Sequence, residues 1–277
     1  MARFFIGRSV EASGAIGPSP SLSSDESRAM HDEQLATYPP LNTLKPVADD
    51  IWIVDGPLIR FGPVLKVPFP TRASIIRLAG GDLLVHSPTP LDAALKVEID
   101  EIGTPRWIIG PNRLHYWWIP EWHAAYPQAE VYLAPRIREQ AAGRLDFDGG
   151  TLDRPSGYPW DEQIRTLPVT GAYMTEVVFF HVPSRTLVLT DLIENFEAAK
   201  IASPFMRFLI WLGSARDPDG CTPRDLRPTF RKQRPQVRAA VETMIGWDPE
   251  RIIVAHGRWY AANGRAELQR AFRWVLR

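Results

Sequence analysis

Three short apolar runs, each closed by a residue with chemistry to offer, constrain this chain more than any other feature. "WIIGPNRLH" (107–115) ends on His115, "RTLVLTD" (185–191) on Asp191, and "RIIVAHG" (251–257) carries His256. A fourth run, "DLLVHS" (82–87), places His86 at the same point. Runs of this length, rich in Val, Ile and Leu and bounded by Gly, Pro and Asn, read as buried strands. If these strands are neighbours, the four polar side chains share one rim of a sheet, where functional loops gather. Two imidazoles and a carboxylate meeting there suit Zn, Mn or Fe. Against this, a lone His after a strand is more often a hydrogen-bonded structural residue, and an Asp there often caps the next element.

The rest of the chain supplies a frame for such a rim. Ile51–Val54 alternates as a strand, and Asp55-Gly56 predicts a turn after it. "ASIIRLAGGDLLVHS" (73–87) reads as a hairpin around Gly-Gly-Asp, and "EVVFFHVPSRTLVLTDLI" (176–193) as strand, turn, strand. Apolar residues at helical spacing predict helices over 89–103, 136–143, 234–247 and 265–276, the first capped by Thr89 or Asp92. This order predicts an α/β fold with two mixed sheets face to face and helices outside. Residues 1–38, rich in Ser, Gly, Ala and charge, predict a flexible tail ahead of one domain over 39–277. The stretch 194–232 is an irregular insertion, of a length usually functional or mobile. Within it "PFMRFLIWLG" (204–213) is apolar on most sides, which predicts burial.

Composition narrows the function classes. The formal net charge is zero, which offers no footprint for nucleic acid or an acidic membrane surface. No stretch approaches the roughly 20 apolar residues needed to span a bilayer. The single cysteine, Cys221, rules out an intrachain disulfide and a cysteine-rich zinc site, and fits a reducing compartment. The expectation is a cytoplasmic protein with a small-molecule substrate or ligand, no nucleic-acid or membrane partner, and a homodimer left open.

Taken together, "ASIIRLAGGDLLVHSPTP", the "GPNRLH" loop, "RTLVLTDLI" and "WDPERIIVAHG" resemble the metallo-β-lactamase-like superfamily over residues 45–277. "LNTLKPVADDIWIVDGP" and "RIIVAHG" look most like a branch of it classed as a domain of unknown function. The resemblance implies a four-layer αββα sandwich. It also implies metal ligands from a His-x-His-x-Asp-His loop, a Gly-His-x-x-Gly turn, an Asp after a strand and a late His-Gly. If His115 holds the last place of the loop motif, the earlier ligand places fall on Gly110, Asn112 and Leu114. The middle turn falls on "GAYMTE" (171–176), with Ala172 where the His belongs, and the buried Asp of the early hairpin is His86. One metal site is therefore dismantled, and His115, Asp191 and His256 remain for the other. His86 and Asn112 are supporting partners or substitute ligands. The implied cofactor is at most one divalent metal ion, zinc first and iron or manganese as alternatives, with an empty site as a further outcome.

Other residues have plainer readings. His31 falls in the tail, His123 on an exposed helix face, and His181 at the surface of a hairpin turn. Tyr116, Trp117, Trp118 and Trp122 pack helix against sheet or wall a pocket beside the metal. Arg258, Trp259 and Tyr260 are placed to close the same pocket. The basic run Arg224, Arg227, Arg231, Lys232, Arg234 and Arg238 reads as a solvated face. Two functions follow: a metal-dependent hydrolase with a reduced metal site, or a non-catalytic binding or regulatory module on the same fold. Fold alone does not choose between them.

Overall fold

The computed structural model describes residues 34–61 and 67–277. Seven strands form the first sheet in sequence order: β1 (Lys45–Ala48), β2 (Ile51–Phe61), β3 (Val67–Arg77), β4 (Asp82–His86), β5 (Thr104–Gly110), β6 (Glu130–Leu133) and β7 (Gly150–Thr151). Pairing is antiparallel from β1 to β4 and parallel from β4 to β7. The switch to parallel pairing requires crossovers. α1 (Ala93–Ile102) makes the first, with Asp92 accepting from the Leu95 amide at 2.8 Å and Leu95 and Ile99 buried. α2 (Ile119–Ala125) makes the second and buries Trp122, whose indole donates to the Thr89 carbonyl at 2.7 Å. The short α3 (Ile137–Ala141) follows β6.

The second sheet holds β8 (Ile164–Thr170), β9 (Thr175–His181), β10 (Thr186–Val188) and β11 (Arg251–Ile253), in the order β11-β10-β9-β8. Along β9 the pleat sends alternate residues to opposite faces. Val177 and Phe179 join the core shared with the first sheet, and Val178 and Phe180 join a second core. Between β10 and β11 runs the segment containing α4 (Pro204–Leu212). α5 (Arg234–Gly246), α6 (Gly264–Ala271) and α7 (Arg273–Leu276) then cover the outer face of the second sheet, burying Val237, Val241, Leu268 and Val275. Each buried Val, Leu or Phe contributes roughly 1.5–3 kcal/mol. The layers are helix, sheet, sheet, helix, as expected.

Several local expectations are corrected. Asp55-Gly56 is no turn: β2 continues to Phe61, with a register shift between Asp55 and Leu58. A Cβ on Gly56 would lie 2.6 Å from Thr71 Oγ1 and 2.8 Å from Thr89 Cγ2, so close approach is what calls for glycine here. The helix expected over 265–276 is broken at Phe272. α4 is not buried: Phe205, Phe208, Trp211 and Leu212 are 57%, 54%, 57% and 46% exposed. Residues 34–38, assigned to the tail, lie on the fold. Positions 34–36 are helical, Thr37 is buried, and the Tyr38 hydroxyl donates to Glu197 at 2.7 Å. The remainder of the expected tail, including His31, lies outside the described residues. Among the described residues no helix is long and apolar enough to cross a membrane.

Candidate metal centre

The site is assembled from three strand ends. After β5 the chain turns at Asn112, whose Oδ1 accepts from the Leu114 amide at 2.8 Å and whose carbonyl accepts from the His115 amide at 3.1 Å. This turn lifts His115 over the sheet edge. After β10, Asp191 is held from below by Glu176 of β9. The Glu176 carboxylate accepts from the amides of Thr190, Asp191 and Leu192 at 2.8, 2.7 and 3.0 Å. After β11, His256 is followed by Gly257 at φ +92°, where a Cβ would fall 2.0 Å from the Asn195 carbonyl oxygen. Only glycine fits, which gives the His-Gly pair its physical reason.

The three side chains converge. His115 Nε2 lies 3.3 Å from Asp191 Oδ2, and His256 Nε2 lies 3.1 Å from Oδ1. One ligand atom from each falls within 4.8 Å of the others, an arrangement that can hold a metal ion. The outward nitrogens are engaged: His115 Nδ1 meets Ser87 Oγ at 2.7 Å, and His256 Nδ1 meets the Pro70 carbonyl at 2.8 Å. Because a carbonyl only accepts, His256 Nδ1 carries a proton. A neutral His256 then turns its Nε2 lone pair toward a carboxylate oxygen. That contact is favourable only if a second proton or a cation lies between them. The donor set therefore fits a metal: two oriented imidazoles and a carboxylate with lone pairs converging on one point.

Burial sets the electrostatics. Burial pushes the Asp191 carboxyl up, but His115, by charge and hydrogen bond, and His256 hold it well below the usual carboxylate range. Glu176 is pushed up by burial and by Asp191, against the amides that bond it. Burial, with Asp191, Asp225 and Glu176 nearby, raises Glu194 well above an ordinary glutamate. His86 is pushed down to about 3 by burial first and then by His115.

A cavity of about 320 Å³ opens over the cluster, walled by Phe69, Tyr116, Trp117, Trp118, Met174 and Leu226 among others. The aromatic residues therefore divide: Trp122 packs in the core while Tyr116, Trp117 and Trp118 wall the cavity. Arg258, Trp259 and Tyr260 are not on its wall; Tyr260 pairs back with Ile252, and Arg258 reaches Asp217.

Of the secondary candidates, Asn112 joins the cluster and His86 does not. Asn112 is fully buried and donates to Asp191 Oδ2 at 2.6 Å and Thr190 Oγ1 at 2.9 Å, so it orients the carboxylate. His86 packs edge-on against Phe179, with its Nε2 buried and unpaired. His181 is buried, not at the surface, because its Nδ1 ties the hairpin through Ser184 Oγ at 2.8 Å. His123 is half-buried and stacks on Phe147. Of the vacated places, the one at Gly110 is filled. A Cβ on Gly110 would lie 2.7 Å from Ile137, 3.0 Å from Ile119 and 3.1 Å from Leu133. Leu114 faces the cavity and Ala172 is exposed.

Sequence reading missed the braces. Ser87 stands beside the His86 it singled out and holds His115 from a left-handed backbone (φ 53°). Arg72 is buried. It bonds Asp55 through Nε at 2.8 Å and, through Nη1, the carbonyls of Val254 and Gly257, both at 2.8 Å. Glu176 alone left a trace, as a charged residue inside the otherwise apolar "EVVFF".

The model of a family described as a domain of unknown function, DUF4336, matches residues 48–203. The chain belongs to that family. The DUF4336 chain is also similar in structure to solved metallo-β-lactamases. DIM-1 matches at TM-score 0.56 and 10% identity, over 84% of this chain and 95% of that one. The enzyme from Pontibacter korlensis matches at 0.53 and 8%, over 84% and 97%. FIM-1 from Pseudomonas aeruginosa, solved in its mono-zinc form, matches at 0.52 and 14%, over 85% and 96%. At such identities the likeness establishes the metallo-β-lactamase-like fold and nothing finer. No curated protein matches the chain.

Proposed function

We propose that this DUF4336 chain is a metal-dependent hydrolase whose single divalent ion is held by His115, Asp191 and His256. The observation that carries the reading is the Pro70 carbonyl on His256 Nδ1, which fixes the ring with Nε2 3.1 Å from Asp191 Oδ1, so that a proton or a metal cation must lie between them. Zinc is the preferred ion, since two imidazoles and one carboxylate with an open fourth position form a hydrolytic zinc ligand set. The mono-zinc FIM-1 structure supports a single ion in this fold. When bound, such an ion polarises a substrate oxygen and lowers the pKa of a coordinated water. The chain's own residues orient the donors: Ser87 and Pro70 fix the rings, and Asn112 and Glu176 fix the carboxylate. One domain, a cytoplasmic setting consistent with the buried free thiol of Cys221, and a small-molecule substrate complete the reading.

The filled space around Gly110 favours a second reading, a binding module that has shed its catalytic metals. Metal content separates the two. Protein purified without added metal, stripped with chelator and titrated with zinc should take up one equivalent. His256→Ala should take up none, and His181→Ala, remote from the cluster, should match the wild type. Two tight equivalents in the wild type, or unchanged uptake in His256→Ala, would refute the mononuclear site. No uptake by the wild type leaves the binding module.

A further inference from the structure

The wall of the cavity says which charge it accepts. Asp191, Glu194 and Asp225 line it together with His115 and His256, and among the described residues no Lys or Arg does. Two guanidinium groups near its edge are committed elsewhere, and Arg224, beside Asp225, is exposed. Arg113 donates to the Tyr173 carbonyl at 3.0 Å, and Arg136 donates to the carbonyls of Ala172 and Tyr173. Glu194 is half-buried and Asp225 exposed at the mouth, and neither carboxyl has a hydrogen bond or salt bridge among the described residues. With Asp191 engaged by the histidines, Glu194 and Asp225 are the wall acids left without a cationic side chain among the described residues. The remaining wall is apolar, from Ile59, Phe69, Pro88, Leu114, Met174 and Leu226. A low-dielectric wall strengthens the field of the unpaired acids.

We propose that this cavity selects apolar substrates bearing a cationic group, received by Glu194 and Asp225, over neutral ones, and rejects carboxylates and phosphates. This deepens the hydrolase reading by naming its substrate class: an ester, amide or lactone with an ammonium-type head and an apolar body. An anionic substrate would meet Glu194 and Asp225 with no cationic side chain among the described residues to pair it, which costs binding. A cationic head restores to those acids the partner that the fold withholds.

The test uses three probes on one skeleton, 3-phenylpropylammonium, 3-phenylpropanamide and 3-phenylpropanoate, titrated calorimetrically into the full chain. Zinc-loaded and chelator-stripped samples are run side by side, so that the stripped arm removes direct metal ligation by amine or carboxylate. The ammonium compound should bind about tenfold more tightly than the amide, with the carboxylate weakest, in the stripped arm. The Glu194→Gln, Asp225→Asn double variant should bring the ammonium compound to the level of the amide and leave the amide unchanged. Equal binding of the three, preference for the carboxylate, no binding of the ammonium compound, or a preference that survives the double variant would each overturn the proposal. Metal uptake is scored on the same samples. Charge selection without metal uptake sinks the hydrolase reading alone, and uptake with carboxylate preference sinks this proposal alone.

Discussion

On one flank of the cavity the ligand places are kept and braced; the vacated places carry no donor, and the one at Gly110 is filled with hydrocarbon. His115, Asp191 and His256 each have a partner behind them, in Ser87, Glu176 with Asn112, and the Pro70 carbonyl. Gly110, off the cavity wall, is closed in by Ile119, Ile137 and Leu133. A vacated ligand place that stayed open would leave polar groups without partners, at a cost of about 1–3 kcal/mol each. Closing it with apolar side chains removes that cost. The contrast teaches that the loss of the first site extends beyond the ligands into the packing, while the second site keeps the supports a ligand set requires.

The largest effect is expected from cutting the brace of the kept flank. Asp55 is buried in a salt bridge with Arg72 at 2.7 Å, and Arg72 in turn holds the loop carrying His256. Asp55→Ala leaves that guanidinium buried without its counter-charge, and should cost about 3–5 kcal/mol in urea unfolding and loosen metal uptake. Unchanged stability would show that the flank does not depend on this pair.

A smaller loss should follow from forcing the other flank open. Gly110→His places a ring where even a Cβ meets three apolar side chains, and overpacking of this kind costs about 1–3 kcal/mol. Zinc uptake should stay at one equivalent. A stable Gly110→His variant binding two would mean that the first site is only short of ligands, and the contrast between the flanks would collapse.

The smallest effect per step is a pH slope. His86 is neutral in the fold, with its proton affinity pushed down to about 3 by burial and then His115, against 6.5 for a free imidazole. The unfolded chain therefore binds the extra proton first as pH falls. Its contribution is intact above about 6.5 and is lost progressively toward 3, at about 1.4 kcal/mol per pH unit. His86→Phe, which keeps a ring against Phe179, should flatten the stability–pH curve in that window relative to wild type. An identical slope in both proteins would remove His86 from the account.

Local patterns carried much of the fold. The hairpin at 73–87, the capped helix after Asp92 and the strands ending near His115, Asp191 and His256 all rest on neighbours in the chain, where periodicity and turn chemistry operate. The two cores of β9 follow from its unbroken apolar run, which fits a strand buried on both faces. The errors have a common cause. Asp55-Gly56 looks like a turn until Arg72 and Thr71 arrive from the partner strand. His181 looks exposed until Ser184 folds back on it. α4 looks buried because composition says nothing about what lies beside a helix.

The sequence by itself determined which residues have donors to offer, that three stand at strand ends, and that Gly110, Leu114 and Ala172 have none. Tertiary structure decided that those three meet, which nitrogen of each imidazole faces Asp191, and that the vacated place at Gly110 is filled. The Pro70 carbonyl and His256 lie 186 residues apart, and Asn112 and Asp191 lie 79 apart. Such contacts arise only when two sheets pack and bring distant loops to one edge, so local periodicity, which reports a residue's near neighbours, carries no record of them.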